Sequence, residues 1–290
     1  MDSSKSRDWL YNLGPGIIAA TSFGITDVLS KVVFAAGTDV LTLALFRGFV
    51  GLAMMAVYLR VGPPPLPQTP QTRWIQLGLG VLFAGIIFGI FKALELVPVS
   101  IAILTYFAYP LLTGIAGAML GLDKLTWRGA AAALAAFFGL VLMIGAHPQD
   151  IAIPGIAFGL FAAVCRVAVL LIVRAKLNDA DARLTTWNSL VSSTAIFTIA
   201  ALVTMNWHNP QTAIGWAAII IVSISTAIAT LTIFMSATRI GPFRTALIMN
   251  LEPLLATILS VPLLGEIITP IQALGGAIML AALVAFQLRR

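Results

Sequence analysis

Charged residues and cysteines are scarce in this sequence. Only 10% of the 290 residues are charged and 60% are hydrophobic, whereas about 25% of the residues of a soluble protein are charged. With a mean hydropathy of +1.01, the chain has more apolar surface than a water-soluble fold could bury. The single cysteine, Cys165, excludes a disulfide framework and a cysteine-ligated metal cluster, and we expect neither a metal nor a cofactor.

Long apolar runs fill most of the chain. A helix needs roughly 20 apolar residues to cross a hydrocarbon core about 30 Å thick, and runs without alternating polarity favour helices over barrel strands. Ten such runs predict an all-α integral membrane protein with ten transmembrane helices. Their limits are residues 13–35, 39–61, 74–96, 99–121, 127–146, 151–173, 184–205, 213–238, 243–265 and 268–288.

The basic residues lie in alternate loops. Thirteen of the 17 lysines and arginines are at the N-terminus, in every second loop or at the C-terminus, and the loops between hold none. Because basic loops stay in the cytoplasm, the sequence predicts a multi-pass membrane protein with both termini cytoplasmic. The net charge of +6 follows from this asymmetry and does not indicate a nucleic-acid partner.

The two halves of the chain are similar at a constant offset of 143 residues. The segment "FKALELVPVSIAILTYFAYPLL" aligns with "FMSATRIGPFRTALIMNLEPLL", which pairs Phe91 with Phe234 and Pro110 with Pro253. We therefore predict two five-helix repeats, residues 1–146 and 147–290. Five spans per repeat is an odd number, so the second repeat should be inverted in the membrane, as in many secondary transporters.

Short motifs add a family resemblance. Glu252–Pro253 opens a helix of small residues, "LLGE" follows at Leu263–Glu266, and "GGAIMLAAL" stands in the last run. Together with ten spans in about 290 residues, these motifs resemble the drug/metabolite transporter superfamily, its EamA-type exporters and, among them, the bacterial YddG-like amino-acid exporters. The resemblance implies export of aromatic and other neutral amino acids from the cytoplasm across the bacterial inner membrane.

Four bases and two acids lie inside the apolar runs, where a charge must be paired, reach the membrane surface or line a wet cavity. Asp27 and Lys31 are four residues apart and share a helix face. They form either a structural pair or part of a substrate-binding surface, and Lys31 can also reach the surface, as can Arg47. Lys92 and Glu95, three residues apart, leave the same alternatives open.

Arg166 and Glu252 have no oppositely charged residue within one helical turn. Arg166 therefore either pairs with an acid on another helix, with Asp27 as a candidate, or binds a substrate carboxylate. Glu252, close to Asn250, is either a neutral hydrogen-bonded group or a carboxylate that carries a proton. We include all four residues among the candidate substrate-binding residues.

Aromatic residues in the runs are candidates for recognising an apolar substrate. Tyr106 and Tyr109 share one helix face, and Trp187 with Asn188 lies in the seventh run; Phe83, Phe88 and Phe91 are weaker candidates. Pro110 and Pro253 occupy equivalent places in the two halves and remove helical hydrogen bonds there. We interpret this proline pair as hinges, with static kinks as the alternative.

These patterns indicate a transporter that works by alternating access and not an enzyme. An integral-membrane enzyme would need a nucleophile beside a base, whereas His147 and His208 stand alone in short loops. The alternative is an exporter of another small metabolite or drug in the same superfamily. The expected partners are an amino-acid substrate and the lipid bilayer, and the expected state is a monomer or a weak homodimer.

Overall fold

The computed structural model describes residues 3–97, 99–144, 152–205, 207–265 and 267–288. Over these ranges the backbone forms twelve helices and no strand. The helices are α1 (Ser3–Ala35), α2 (Val40–Val61), α3 (Pro70–Leu96), α4 (Val99–Tyr106), α5 (Tyr109–Met119), α6 (Trp127–Ile144), α7 (Ile153–Lys176), α8 (Ala182–Thr204), α9 (Ala213–Ile240), α10 (Pro242–Ile248), α11 (Leu251–Leu264) and α12 (Pro270–Leu288).

Eight stretches of the described chain are long and apolar enough to cross a membrane. Two of these stretches contain a pair of helices, since Ile101–Met119 covers α4 and α5 and Pro242–Leu264 covers α10 and α11. Two further apolar stretches, Trp127–Met143 in α6 and Pro270–Phe286 in α12, are shorter. The predicted all-α membrane class is confirmed, while the count of ten spans stays a prediction.

Prolines explain the two interrupted spans. A helical Pro253 would have to donate a hydrogen bond to the Met249 carbonyl, but proline has no N–H. That carbonyl instead accepts from the Glu252 N–H at 3.0 Å, and the chain turns between α10 and α11. In the first half, Pro110 likewise cannot donate to the Tyr106 carbonyl, and α4 ends at that residue.

Helices of the first half pack on helices of the second half. α1 packs on α9, α3 on α7, α2 on α8 and α6 on α12. Helices at equivalent places run antiparallel: Gly51 of α2 meets Leu190 of α8, and Gly62 just past α2 meets Arg183 at the start of α8. In α6 and α12, Gly139 and Gly275 bring the two backbones together because a side chain at either position would collide with the other's carbonyl.

Contacts between loops define two faces of the bundle. On the terminal face, where α1 begins, Tyr11 contacts Arg239 at the end of α9, and the loop before α3 contacts the start of α8. On the opposite face, called the distal face, the corner between α1 and α2 contacts the α8–α9 loop through Gly37 and Gln211. The basic loops identified in the sequence therefore share the terminal face.

Candidate functional site

A cavity of about 580 Å³ lies between the two halves of the bundle. Its lining runs from Arg166, near the middle of α7, to Phe34 at the distal end of α1. On the terminal side the bundle is filled by side chains with at most 1% exposure, including Tyr109, Phe234 and Leu247. The cavity therefore faces the distal side and is closed toward the terminal side.

Arg166 lies at the closed end of this cavity. Its side chain is only 3% exposed, and its guanidinium carbon is 5.1 Å from the centre of the Phe23 ring, 5.7 Å from Tyr109 and 6.0 Å from Phe83. These rings come from three helices and stabilise the cation through their electron-rich faces. Among the residues that the structure describes, the Nε atom has no hydrogen-bond partner, so the guanidinium keeps a free donor.

Glu252 faces Arg166 from α11. It is 6% exposed and interacts electrostatically with Asp27 and Arg166. Its Oε2 atom has no hydrogen-bond partner in the described part of the chain. The close approach of α1 to α11 brings these acids together, because the missing side chain of Gly24 makes room for the Glu252 backbone. A free acceptor and a free donor of opposite charge thus both border the cavity, and their side chains interact electrostatically without a hydrogen bond between these two atoms.

Asp27 forms the next part of the charged surface. Its side chain is exposed to the cavity and interacts electrostatically with Arg47, Arg166 and Lys31. Its position is fixed by the neighbouring Thr26, whose hydroxyl lies 3.3 Å from that of Thr226 on α9. Three bases and two acids therefore share one cavity, drawn from α1, α2, α7 and α11.

Hydroxyl groups add hydrogen-bond acceptors to the same surface. Thr226 and Thr230 on α9 donate to the carbonyl oxygens one turn earlier, each at 2.8 Å, and both line the cavity. A hydroxyl that donates within its own helix still has oxygen lone pairs free. Ser189 and Ser193 of α8 line the cavity on another side, so acceptors surround the charged groups.

One wall of the cavity is apolar. Side chains of α3, of α4 and of the turn that follows α4 form it, including Phe83, Ile86, Ile90, Phe91, Ile103 and Phe107. Phe83 also packs edge-on against Phe234, with ring centres 5.8 Å apart, which holds its ring in place. Phe88, by contrast, is 51% exposed and packs against Phe158, away from the cavity.

The structure places the candidates from the sequence in two groups. Asp27, Lys31, Tyr106, Arg166, Glu252 and Pro253 line the cavity. Lys92, Tyr109, Pro110, Trp187, Asn188 and Asn250 are not part of the lining. Tyr109 nevertheless contacts the site, because its ring packs against the Arg166 guanidinium. The side chain of Glu95 and all of His147 lie outside the described residues, and His208 contacts Asp39.

Two of the candidates outside the lining have clear structural contacts. The Asn188 amide donates to Gln76 at 2.6 Å, and Gln76 donates to Thr185 at 3.1 Å, so Asn188 joins α8 to α3. Asn250 donates to the Leu247 carbonyl at 3.1 Å and stabilises the turn between α10 and α11. Both amides are buried polar groups satisfied by protein partners, and direct substrate contact for them stays a prediction.

Arg47 and the hydroxyls of α8 and α9 were missed as site residues. The sequence places Arg47 inside a run, but a base there can equally reach the membrane surface, and only the packing of α2 on α8 and α9 turns it toward Asp27. Ser189 and Ser193 carry a weak signal, since residues four apart share a helix face. Serines and threonines occur on every α9 face, however, so the sequence alone does not select the cavity face.

Comparison with known proteins agrees with this geometry. The family model described as the EamA-like transporter family matches residues 14–145 and again residues 153–286. The chain belongs to the EamA-like transporter family. It is accordingly a multi-pass membrane transporter, and the two matches fit a two-repeat architecture.

A solved structure supports the fold. It is titled "Crystal structure of protein", superposes with a TM-score of 0.80 over 95% of this chain and 96% of that chain, and is 20% identical in sequence. At this identity the likeness shows the fold alone. No match was found among curated proteins.

Proposed function

We propose that this EamA-like transporter exports aromatic and other neutral amino acids across the bacterial inner membrane by alternating access. The family supports transport of small molecules, and the substrate class is inferred from the cavity. The observation that carries the proposal is the placement of Arg166 and Glu252 in one largely apolar cavity. Both are buried, and each has a polar atom without a hydrogen-bond partner among the described residues.

A zwitterion matches this pair. Burying one charge in a bilayer costs at least about 2.5 kcal/mol, and a ligand carrying both signs compensates an acid and a base at once. In the proposed pose the substrate carboxylate accepts from Arg166, whose planar fork suits carboxylates. The ammonium group donates to Glu252 or Asp27 and to the hydroxyl of Thr230.

The apolar wall then receives the substrate side chain. An aromatic ring in contact with Phe83, Ile86 and Phe107 leaves water, which contributes about 1.5–3 kcal/mol for a phenylalanine-sized group. A small or charged side chain gains less or loses hydration there. We therefore expect phenylalanine and tryptophan to bind better than alanine or aspartate.

The proposed mechanism uses two inverted halves, residues 1–146 and 147–290. Antiparallel packing of α2 with α8 and of α6 with α12 supports the inversion. Pro110 and Pro253 end equivalent helical segments and are the proposed hinges. With the basic terminal face in the cytoplasm, the described conformation faces outward, and rocking of the halves would open Arg166 to the cytoplasm.

Counterflow in proteoliposomes tests the proposal. Vesicles preloaded with unlabelled phenylalanine should accumulate labelled phenylalanine and tryptophan, while empty vesicles and vesicles with the Arg166→Met variant should not. Aspartate, lysine and a quaternary ammonium dye serve as competitors of other charge. If only the anionic or cationic competitors exchange, the zwitterion assignment is wrong.

A second candidate is export of a small anionic metabolite. It is favoured by the excess of bases over acids in the cavity, where Lys31, Arg47 and Arg166 face Asp27 and Glu252. This candidate predicts that a carboxylate without an amino group, such as phenylpyruvate, competes better than phenylalanine. The zwitterion proposal predicts the opposite order.

A further inference from the structure

Two aspartates occupy equivalent places in the two halves, 142 residues apart. Asp39 immediately precedes α2 and Asp181 immediately precedes α8. Each caps its own helix through one carboxylate oxygen: Asp39 Oδ1 accepts from the Thr42 N–H at 2.8 Å, and Asp181 Oδ1 accepts from the Arg183 N–H at 2.9 Å. This is the ordinary role of aspartate at a helix start.

The second oxygen of each aspartate binds a loop of the opposite half. Asp39 Oδ2 accepts from the His208 backbone N–H at 2.6 Å on the distal face, where the Thr42 hydroxyl oxygen also accepts from this N–H at 2.9 Å. Asp181 Oδ2 accepts from the Leu66 backbone N–H at 3.2 Å on the terminal face. His208 and Leu66 are themselves 142 residues apart. The same hydrogen bond between halves thus exists once on each face, and we call these two contacts the distal and terminal latches.

Further contacts strengthen each latch. Arg183 forms a salt bridge with Asp181 at 2.6 Å and donates to the Pro63 carbonyl of the same loop at 2.7 Å. The Nδ1 atom of His208 lies 3.2 Å from Asp39. Burial raises the pKa of Asp181, but hydrogen bonds from Arg183 and Leu66 outweigh burial and hold this pKa below its ordinary value. The pKa of Asp39 is lowered in the same way, because hydrogen bonds from Thr42 and His208 outweigh its burial.

The state of the cavity shows what these latches do. A gate contact is formed on the closed face and broken on the open face. Here the cavity faces the distal side only, yet the distal and terminal latches are both formed. In a protein with inverted halves, the opposite conformation arises when each half adopts the conformation that the other half has now. The distal latch then takes the geometry of the terminal latch, and the terminal latch takes the geometry of the distal latch. Both are therefore formed in the opposite conformation too.

We propose that Asp39 and Asp181 are paired positioning residues that hold α2 and α8 together as a fixed axis throughout transport. The other helices that line the cavity, including α1, α7, α9 and α11, then move relative to this axis, while the α2 and α8 parts of the lining stay in place. Close packing of the two helices supports it: Gly48 lies against Thr194, and Gly51 against Leu190. The proposal rests on the alternating access described under Proposed function.

Cross-linking distinguishes an axis from a gate. One variant carries Asp39→Cys with His208→Cys, and another carries Leu66→Cys with Asp181→Cys, each in a Cys165→Ala background. Without cross-linker, transport should fall because the latch is lost. A short thiol cross-linker should restore transport to at least half of the wild-type rate in both variants, since it replaces a contact that never opens.

The control is a contact that must open. Gly114 of α5 lies against Phe243 of α10 in the packed terminal side of the bundle, and a Gly114→Cys, Phe243→Cys pair should lose transport on cross-linking. If cross-linking either latch stops transport as the control does, that latch is a gate and the proposal is overturned.

Asparagine variants test the latches without cross-linking. Asn caps helices about as well as Asp, but one of its two terminal atoms is a donor and cannot accept from the loop N–H. In Asp181→Asn, hydrogen exchange at the Leu66 amide should rise about tenfold while the Arg183 amide keeps its protection. In Asp39→Asn, exchange at the His208 amide should rise less, because the Thr42 hydroxyl still accepts from it at 2.9 Å, and the Thr42 amide should keep its protection. Both variants should lose transport.

Hydrogen exchange of the unmodified protein completes the test. The Leu66 and His208 amides should be protected with and without phenylalanine. Fast exchange at either amide, or substrate-dependent changes of opposite sign at the two, would overturn the fixed axis. The exchange rates without ligand need no transport, so fast exchange at either amide overturns the fixed axis even if phenylalanine proves not to be the substrate. The counterflow of the unmodified protein tests the substrate separately.

Discussion

Replacing Arg166 with methionine is the sharpest perturbation of the cavity. Methionine keeps much of the side-chain length among the rings of Phe23, Phe83 and Tyr109 but removes every donor. A hydrogen bond to a charged group contributes about 1.5–3 kcal/mol, so losing the contact to the substrate carboxylate should weaken phenylalanine binding about 10- to 150-fold. Glu252 also loses its counter-charge, which should lower the thermal stability of the protein.

The assay compares two ligands in two proteins. Phenethylamine has the ring and the ammonium group of phenylalanine but no carboxylate. The unmodified transporter should prefer phenylalanine, whereas Arg166→Met should bind the two ligands with similar affinity. Competition against labelled phenylalanine in detergent, with the affinity of each ligand fitted separately, measures the difference without requiring turnover.

An exposed arginine provides the matched control. Arg128 lies 5.9 Å from the Trp127 ring, outside the cavity, and Arg128→Met should leave both affinities unchanged. If Arg166→Met still prefers phenylalanine over phenethylamine by the unmodified factor, Arg166 does not bind the carboxylate. The proposed pose is then refuted, whatever happens to the overall rate.

Three further predictions concern charge, packing and pH. Glu252→Gln removes a negative charge with little change of shape, so N-acetylphenylalanine, which has no ammonium group, should gain affinity relative to phenylalanine in competition assays. Gly139→Ala places a Cβ 2.6 Å from the Gly275 carbonyl oxygen and should destabilise the α6–α12 contact by about 1–3 kcal/mol in thermal unfolding. Gly78→Ala, whose Cβ would have no neighbouring atom of the described residues within 4 Å, should not. The pKa of Asp181 lies below its ordinary value of 3.8 because hydrogen bonds outweigh burial. The ionised carboxylate therefore stabilises the fold fully above the ordinary pKa, and this stabilisation is lost as the pH falls through the lowered pKa. The difference in melting temperature between the unmodified protein and Asp181→Asn should therefore be constant from pH 8 to pH 5 and shrink below about pH 4.

Features that repeat along the chain could be predicted from the sequence. The break at Pro110 and its equivalent before Pro253 follow from a missing N–H, which is a property of one residue type. The grouping of basic loops on the terminal face follows from charges counted along the chain. These predictions needed no knowledge of which helices touch.

The composition of the cavity could be predicted only in part. Asp27, Arg166 and Glu252 were recognisable because a charge inside an apolar run needs an explanation. Arg47 and Lys92 carry the same signal, yet only Arg47 lines the cavity. Asn188 and Ser189 are neighbours in the chain, but the helix turns the serine toward the cavity and the amide toward Gln76.

The sequence by itself determined that this protein is a bundle of membrane helices with related halves, because hydrophobicity, loop charge and proline chemistry act over short stretches of chain. The tertiary structure decided which charges meet, which face of each helix is wet, and that Asp39 and Asp181 reach across to the opposite half. Those outcomes depend on contacts between residues more than 100 positions apart, such as Asp39 with His208. The sequence of a single helix does not specify these contacts, because several faces of each helix are equally compatible with an apolar environment.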